Sequence, residues 1–211
     1  MLAACCEGIG NAAQDLLNRP GAHRGRWQGP PRRTTLDGQG RLAFAHLGYE
    51  HLRAVSRDEL AEELWLGKAP PSWERSHSAL ISKLRALLVD AGLPDVALNA
   101  SFGHYQLSLP SDVWIDVGAA SEAIARRKRA AGDEPQEAWG WSQVAYQISR
   151  RSFLMGEEGP WVSLKRSELR DVLVRAHECL SEPSIWHTQP EYAVNHAREA
   201  VAIEPFRETG Y

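Results

Sequence analysis

A mainly α-helical chain in two parts is what this sequence predicts: a short block of helices closed by a β-hairpin, then a run of longer helices. Three observations carry the prediction. Ser56-Arg57-Asp58-Glu59 has the form of a capping box directly ahead of the apolar positions Leu60, Leu64 and Trp65. Leu80, Leu84, Leu87 and Leu88 recur at helical spacing and are followed by two strand-like runs around a glycine. From Ser111 onward the texture is that of successive amphipathic helices.

Residues 1–40 are rich in Gly, Pro and Arg and keep neither a helical nor a strand period, so they are expected to be irregular or flexible. They serve as a solvated tail or as a basic arm (Arg19, Arg24, Arg26, Arg32, Arg33) for phosphates. A first helix is predicted from Arg41 to about Leu52, with Leu42, Ala45, Leu47 and Tyr49 in or near the core. His46 and His51 have no metal-ligand spacing and are expected at the surface or between helices. The second helix starts at the Ser56 box, where Asp58 and Glu59 suit the positive end of the helix dipole. Gly67, Pro70 and Pro71 end it, because proline lacks a donor and disfavours helix in the residue before it. Ser72 is the candidate N-cap of the third helix, whose stop is Gly92 with Pro94. Val96-Ala97-Leu98 and Tyr105-Gln106-Leu107-Ser108-Leu109 read as strands. Ala100-Ser101-Phe102-Gly103 is their turn, with Gly103 free to take positive φ.

That order, over residues 41–110, is the order of a winged helix-turn-helix. On the third helix Arg75, Ser78, Ala79, Ser82, Lys83 and Arg85 lie opposite the leucine stripe, which His77 and Ile81 flank. Small and basic residues there suit close entry into a major groove. The same helices and hairpin also read as ordinary core-forming parts. From Arg57 to Pro110, seven acids (Asp58, Glu59, Glu62, Glu63, Glu74, Asp90, Asp95) outnumber five bases (Arg57, Lys68, Arg75, Lys83, Arg85), so any basic footprint must be local to one helix face.

Composition sets further bounds. With 211 residues the chain has room for one large or two small domains. Hydrophobic residues at 43% and charged residues at 24% are ordinary for a globular protein. A formal net charge of -3 predicts no general attraction to nucleic acid or anionic membrane. Cys5 and Cys6 are adjacent and Cys179 is remote, which is no disulfide framework and fits a reducing cytoplasm. No apolar run is long enough to span a bilayer, and no basic start of a signal peptide is present. Nucleophile elbow, phosphate loop, zinc spacing and paired-carboxylate motifs are all missing, so neither an enzyme nor a cofactor is expected.

In residues 111–211 four helices are predicted: Asp116 to Ala131 with Val117, Ala120, Ala123 and Ile124 inward; Pro135 to Arg150 with Trp139, Val144 and Ile148; Gly159 to about Leu180 through Leu164, Leu169, Val172 and Leu173; and Glu191 to Ile203. Trp65, Trp139 and Trp161 are assigned to core packing. Ala193, Ala197, Ala200 and Pro205 have the spacing of the second helix of a tetratricopeptide repeat, although its partner helix lacks the expected Trp and Gly-Tyr positions.

The run Val55–Trp65, the helix Ser78–Leu88, Gly103-His104-Tyr105-Gln106-Leu107, the Asp116 helix start, Gly159-Pro160-Trp161-Val162 and Glu204-Pro205-Phe206-Arg207-Glu208 follow one another in an order that resembles the actinobacterial antibiotic-regulator type of transcription factor (SARP-like). The resemblance covers roughly Arg41 to Tyr211. It implies an OmpR-like winged helix joined to a tetratricopeptide-like bacterial transcriptional activator domain. It further implies double-stranded DNA as partner, with Trp73, Arg75, Ser78, Ser82, Lys83 and Arg85 facing the DNA and His104 on the wing. The loop Leu66 to Pro71 and the helical half are then candidates for contact with RNA polymerase, and the helical half also for homodimerisation. The family pattern also implies a leading sheet, which residues 1–40 do not show, and helices past the equivalent of Tyr211, so the helical half is expected to be truncated. Two readings stand: a DNA-binding transcriptional regulator, and a helical interaction module with a vestigial winged helix.

Overall fold

The structure, a computed structural model, describes residues 36–90, 97–109, 115–130, 134–182 and 190–207. Among these the chain is mainly helical and divides into two units, the first built from residues 36–115 and 154–161, the second from 116–153 and 162–207. The leading segment with its arginine arm, and the stop at Gly92 and Pro94, lie outside the described residues.

The first unit is a winged helix. Helix α1 spans Gly38–Tyr49, three residues ahead of its expected start and short of Leu52. Asp37 explains the early start, since its Oδ1 accepts from the Gly40 N–H at 2.8 Å. Strand β1 (Val55–Ser56) leads into α2 (Arg57–Trp65), where Ser56 Oγ accepts from the Glu59 N–H at 3.0 Å. The return half of the expected capping box is a minor contact, the Ser56 N–H adding the smallest of the pulls that lower the Glu59 pKa. The Glu59 carboxylate turns mainly to the Arg53 guanidinium at 2.5 and 3.0 Å, the largest cause of its pKa lying below the usual carboxylate range. Helix α2 closes one step before the expected glycine and well before the prolines: Leu66 takes φ +50° as its cap, followed by Gly67 at +72°. Helix α3 (Trp73–Asp90) buries His77, Leu80, Ile81, Leu84, Leu87 and Leu88.

The hairpin is shifted from its expected place. Strands β2 (Leu98–Ser101) and β3 (His104–Leu107) pair antiparallel from Leu98 opposite Leu107 to Ser101 opposite His104. Ala100 and Ser101 therefore belong to the strand, and the turn is only Phe102-Gly103, at φ +48° and +76°. Two left-handed residues in succession match the twist of a two-residue hairpin. Strand β1 completes the sheet through Val55 opposite Tyr105, giving the order β1-β3-β2. His46, expected at the surface or between helices, is buried against the Trp161 ring at 4.8 Å.

The second unit holds α4 (Asp116–Ala130), α5 (Pro135–Ser149), most of α6 (Pro160–Ser181) and α7 (Pro190–Ile203). Ala120, Ala123 and Ile124 pack with Ala145 and Ile148, and Val172 and Ala176 complete this core. Alanines at the contact let helix backbones approach closely. Two expectations fail by phase. The inward stripe of α5 is Ala138, Ser142, Ala145 and Ile148, so Trp139 stands at the surface. On α6 the stripe runs through Val162, Lys165 and Leu169, which turns Leu164 outward. The buried Ser142 and Ser149 hydroxyls donate to the Ala138 and Ala145 carbonyls at 2.9 and 2.7 Å, so neither is left unpaired. No helix among the described residues is long and apolar enough to cross a membrane.

Candidate nucleic-acid interface

The outward face of α3 follows from its buried one. At about 3.6 residues per turn, the seam through His77, Leu80, Ile81, Leu84 and Leu88 places Arg75, Ala79, Ser82 and Ala86 on the opposite side, and all four side chains are exposed or nearly so. Ser78 lies beside them toward the edge that carries Arg85. Lys83 sits on the other edge. From Arg75 to Ala86 the strip carries only small side chains apart from one arginine, with a cation at each border, and the exposed Val89 follows at its C-terminal end.

The expected site residues divide into three groups. Arg75 is exposed, and its side chain has no ion pair among the described residues. Ser78 and Ser82 are exposed, and their hydroxyls donate to the Glu74 and Ser78 carbonyls at 2.8 and 3.0 Å. Their oxygens therefore face outward as acceptors. The remaining members are tied within the protein. Lys83 Nζ lies 3.3 Å from Asp37 Oδ2, so one carboxylate both caps α1 and holds a cation of α3. The Gly40 N–H, with help from Lys83, keeps Asp37 below its ordinary range. Arg85 Nε donates to the Leu98 carbonyl at 3.2 Å and thereby braces the base of the hairpin. Trp73 is a packing residue at the head of α3: its ring meets Trp65 at 6.1 Å and His77 at 5.9 Å, while the Arg57 guanidinium lies 4.8 Å above it. His77 is fully buried among these rings and Tyr105, and burial, with the nearby Arg57 charge, pushes its pKa down. His104 is exposed on the wing, its Nδ1 3.0 Å from the Phe102 carbonyl.

Three features escaped the sequence reading. The stacking of Arg57 on Trp73 joins residues of two helices, and no local pattern announces it. Lys68 stands exposed in the loop after α2. Phe102 forms the wing tip with its side chain wholly exposed; the available signal was an aromatic at a turn position where Asn or Gly is the usual choice. Among the described residues no cluster of His, Cys, Asp and Glu has the form of a metal site.

Helices, three-stranded sheet and helical second unit together define a winged helix followed by an α-helical unit. No family model matches the chain. No curated protein matches it. Among solved structures it is similar to Mycobacterium tuberculosis EmbR in complex with a low affinity phosphopeptide, at 25% identity and a TM-score of 0.72, over 83% of this chain and 47% of that one. The chain thus spans about half the length of that structure. The likeness supports the fold of a SARP-like transcriptional regulator, the type the sequence resembles.

Proposed function

We propose that this chain is a transcriptional regulator that binds double-stranded DNA through α3 and the β2–β3 wing. The observation that carries the reading is the outward strip of α3, where Arg75, Ala79, Ser82 and Ala86 leave the backbone free to approach base edges and only Arg75 projects as an unengaged cation. Arg75 serves as the guanine or phosphate contact, and the oxygens of Ser78 and Ser82 accept from exocyclic amines. Trp73 shapes the head of the helix from within. Lys83 and Arg85 align α1 and the wing beside the helix, at the border of the contacted surface, and His104 lies on the wing. The second unit supplies contacts to RNA polymerase or to a second copy, and Trp139, Leu164 and Phe206 give it exposed apolar surface for that purpose. The engagement of Lys83 and Arg85 inside the protein favours, as a second reading, an interaction module that does not bind DNA.

The test is a salt titration of binding to a duplex enriched from a random-sequence library by the full chain. Arg75→Ala is expected to cost about 1–3 kcal/mol if Arg75 reads a base, and to reduce the log–log salt slope by about 0.9 if it neutralises one phosphate. Absence of salt-sensitive binding by the wild-type chain would leave the second reading.

A further inference from the structure

We infer that Phe102 is an apolar wedge that enters the minor groove beside the α3 contact and unstacks a base step; this rests on the DNA-binding reading above. Phe102 is 100% exposed at the wing tip. It also occupies the left-handed region at φ +48°, which is unfavourable for a bulky side chain. An Asn or Gly there would relieve the backbone and remove an exposed aromatic ring together. The position thus carries two unfavourable features at once, and packing within the protein explains neither.

The tip is also held still. The Gly103 carbonyl accepts from the Arg57 N–H at 2.8 Å, the Phe102 carbonyl lies 3.0 Å from His104 Nδ1, and Arg85 anchors the Leu98 end of the hairpin. A ring on a braced two-residue turn is presented without the ordering cost of a mobile loop. From Leu98 to Leu107 the hairpin has no Asp or Glu, so nothing on it repels a phosphate. Strands of four residues extend roughly 13 Å, enough to cross the backbone that separates a major groove from the next minor groove. Phe is among the side chains that proteins insert between base steps there, where A·T and G·C differ little in hydrogen-bonding pattern and groove shape matters more. The absence of Arg and Lys from the tip fits a wedge, whose attachment comes from stacking rather than charge.

The experiment uses the full chain and a duplex enriched by it from a random-sequence library, with 2-aminopurine placed at successive steps flanking the protected sequence. Wild type is expected to raise 2-aminopurine emission at one step. Phe102→Asn is expected to abolish that rise and weaken binding on the order of tenfold to a hundredfold, the span of base–aromatic stacking, while its thermal midpoint stays the same or increases. Phe102→Trp should retain both signals. Undiminished affinity in Phe102→Asn, or lost affinity without a 2-aminopurine change in wild type, overturns the wedge and leaves the α3 reading intact. So does a Phe102→Asn chain that binds DNA normally but no longer captures RNA polymerase. If no duplex is enriched at all, the wedge and the DNA-binding reading fall together.

Discussion

Lowering the pH from 7 to 4 is expected to destabilise the helical unit by about 3 kcal/mol, and one buried pair is the main cause. His177 on α6 and His196 on α7 face each other with their Nδ1 atoms 2.8 Å apart, and both side chains are buried. A hydrogen bond there requires one Nδ1 to donate and the other to accept, so the accepting nitrogen carries no proton. Tyr146 meets both rings edge-on at 5.2 and 5.3 Å, and Tyr192 covers His196 at 4.4 Å. Burial, reinforced by His196, depresses the His177 pKa from 6.5 to about 4, against a smaller opposing pull from Glu199. Burial also lowers His196. The sign follows from proton counting. Between about pH 6.5 and 4 the unfolded chain holds a proton on His177 that the folded chain refuses, so stability is complete above that window and is lost as the pH falls through it. At about 1.4 kcal/mol per pH unit, the interval from 6.5 to about 4 gives the 3 kcal/mol. Urea unfolding followed by tryptophan fluorescence at a series of pH values measures it. His177→Phe should lose stability at pH 7 through the missing hydrogen bond, yet show a flatter pH dependence than wild type. A wild-type midpoint that does not move between pH 7 and 4.5, or a variant with the wild-type slope, would refute the reasoning.

Two further outcomes test other parts of the structure. Arg85→Ala removes the donor to the Leu98 carbonyl, so amide exchange across Leu98–Ser101 should accelerate by an amount corresponding to about 1 kcal/mol, whereas Arg75→Ala should leave that exchange unchanged. Gly140 lies inside α5, and a Cβ built there meets nothing within 4 Å. Gly140→Ala should therefore stabilise the protein by about 0.5–1 kcal/mol, seen as a higher thermal midpoint, because alanine loses less backbone entropy in a helix.

The four long helices of the second unit were legible in the sequence to within one residue at most ends. Pro135, Pro160 and Pro190 stand at their starts, where a missing N–H costs nothing. Local chemistry of that kind is complete in the sequence. What depended on contact across the chain was not legible. Strand β1 is two residues long and exists because Val55 and Ser56 meet β3 some fifty positions away, and no period reveals so short a run. Trp139 and Leu164 were misassigned because one position separates an inward from an outward place on a helix, and alanine, serine and lysine took the inward places instead. The outward face of α3 was read correctly as a surface. The intramolecular partners of Lys83 and Arg85 were not legible, because Asp37 and the Leu98 carbonyl come from distant parts of the chain.

On the proposed DNA-binding reading, those two tethers bear on how the first unit works. The net charge is -3, acids outnumber bases from Arg57 to Pro110, and Lys83 and Arg85 are partly satisfied within the protein. On that reading, phosphate attraction, which usually dominates affinity and is insensitive to sequence, is expected to be weak. A head of this kind gains little from random DNA and must draw its binding from base edges, groove shape and a second point of attachment. Joining two weak attachments raises their combined strength through effective concentration without any new contact. On the proposed reading, the helical unit supplies that second attachment, by holding either a second copy or the polymerase. A low basic content in the winged helix is then compatible with DNA reading, and it shifts discrimination from charge to fit.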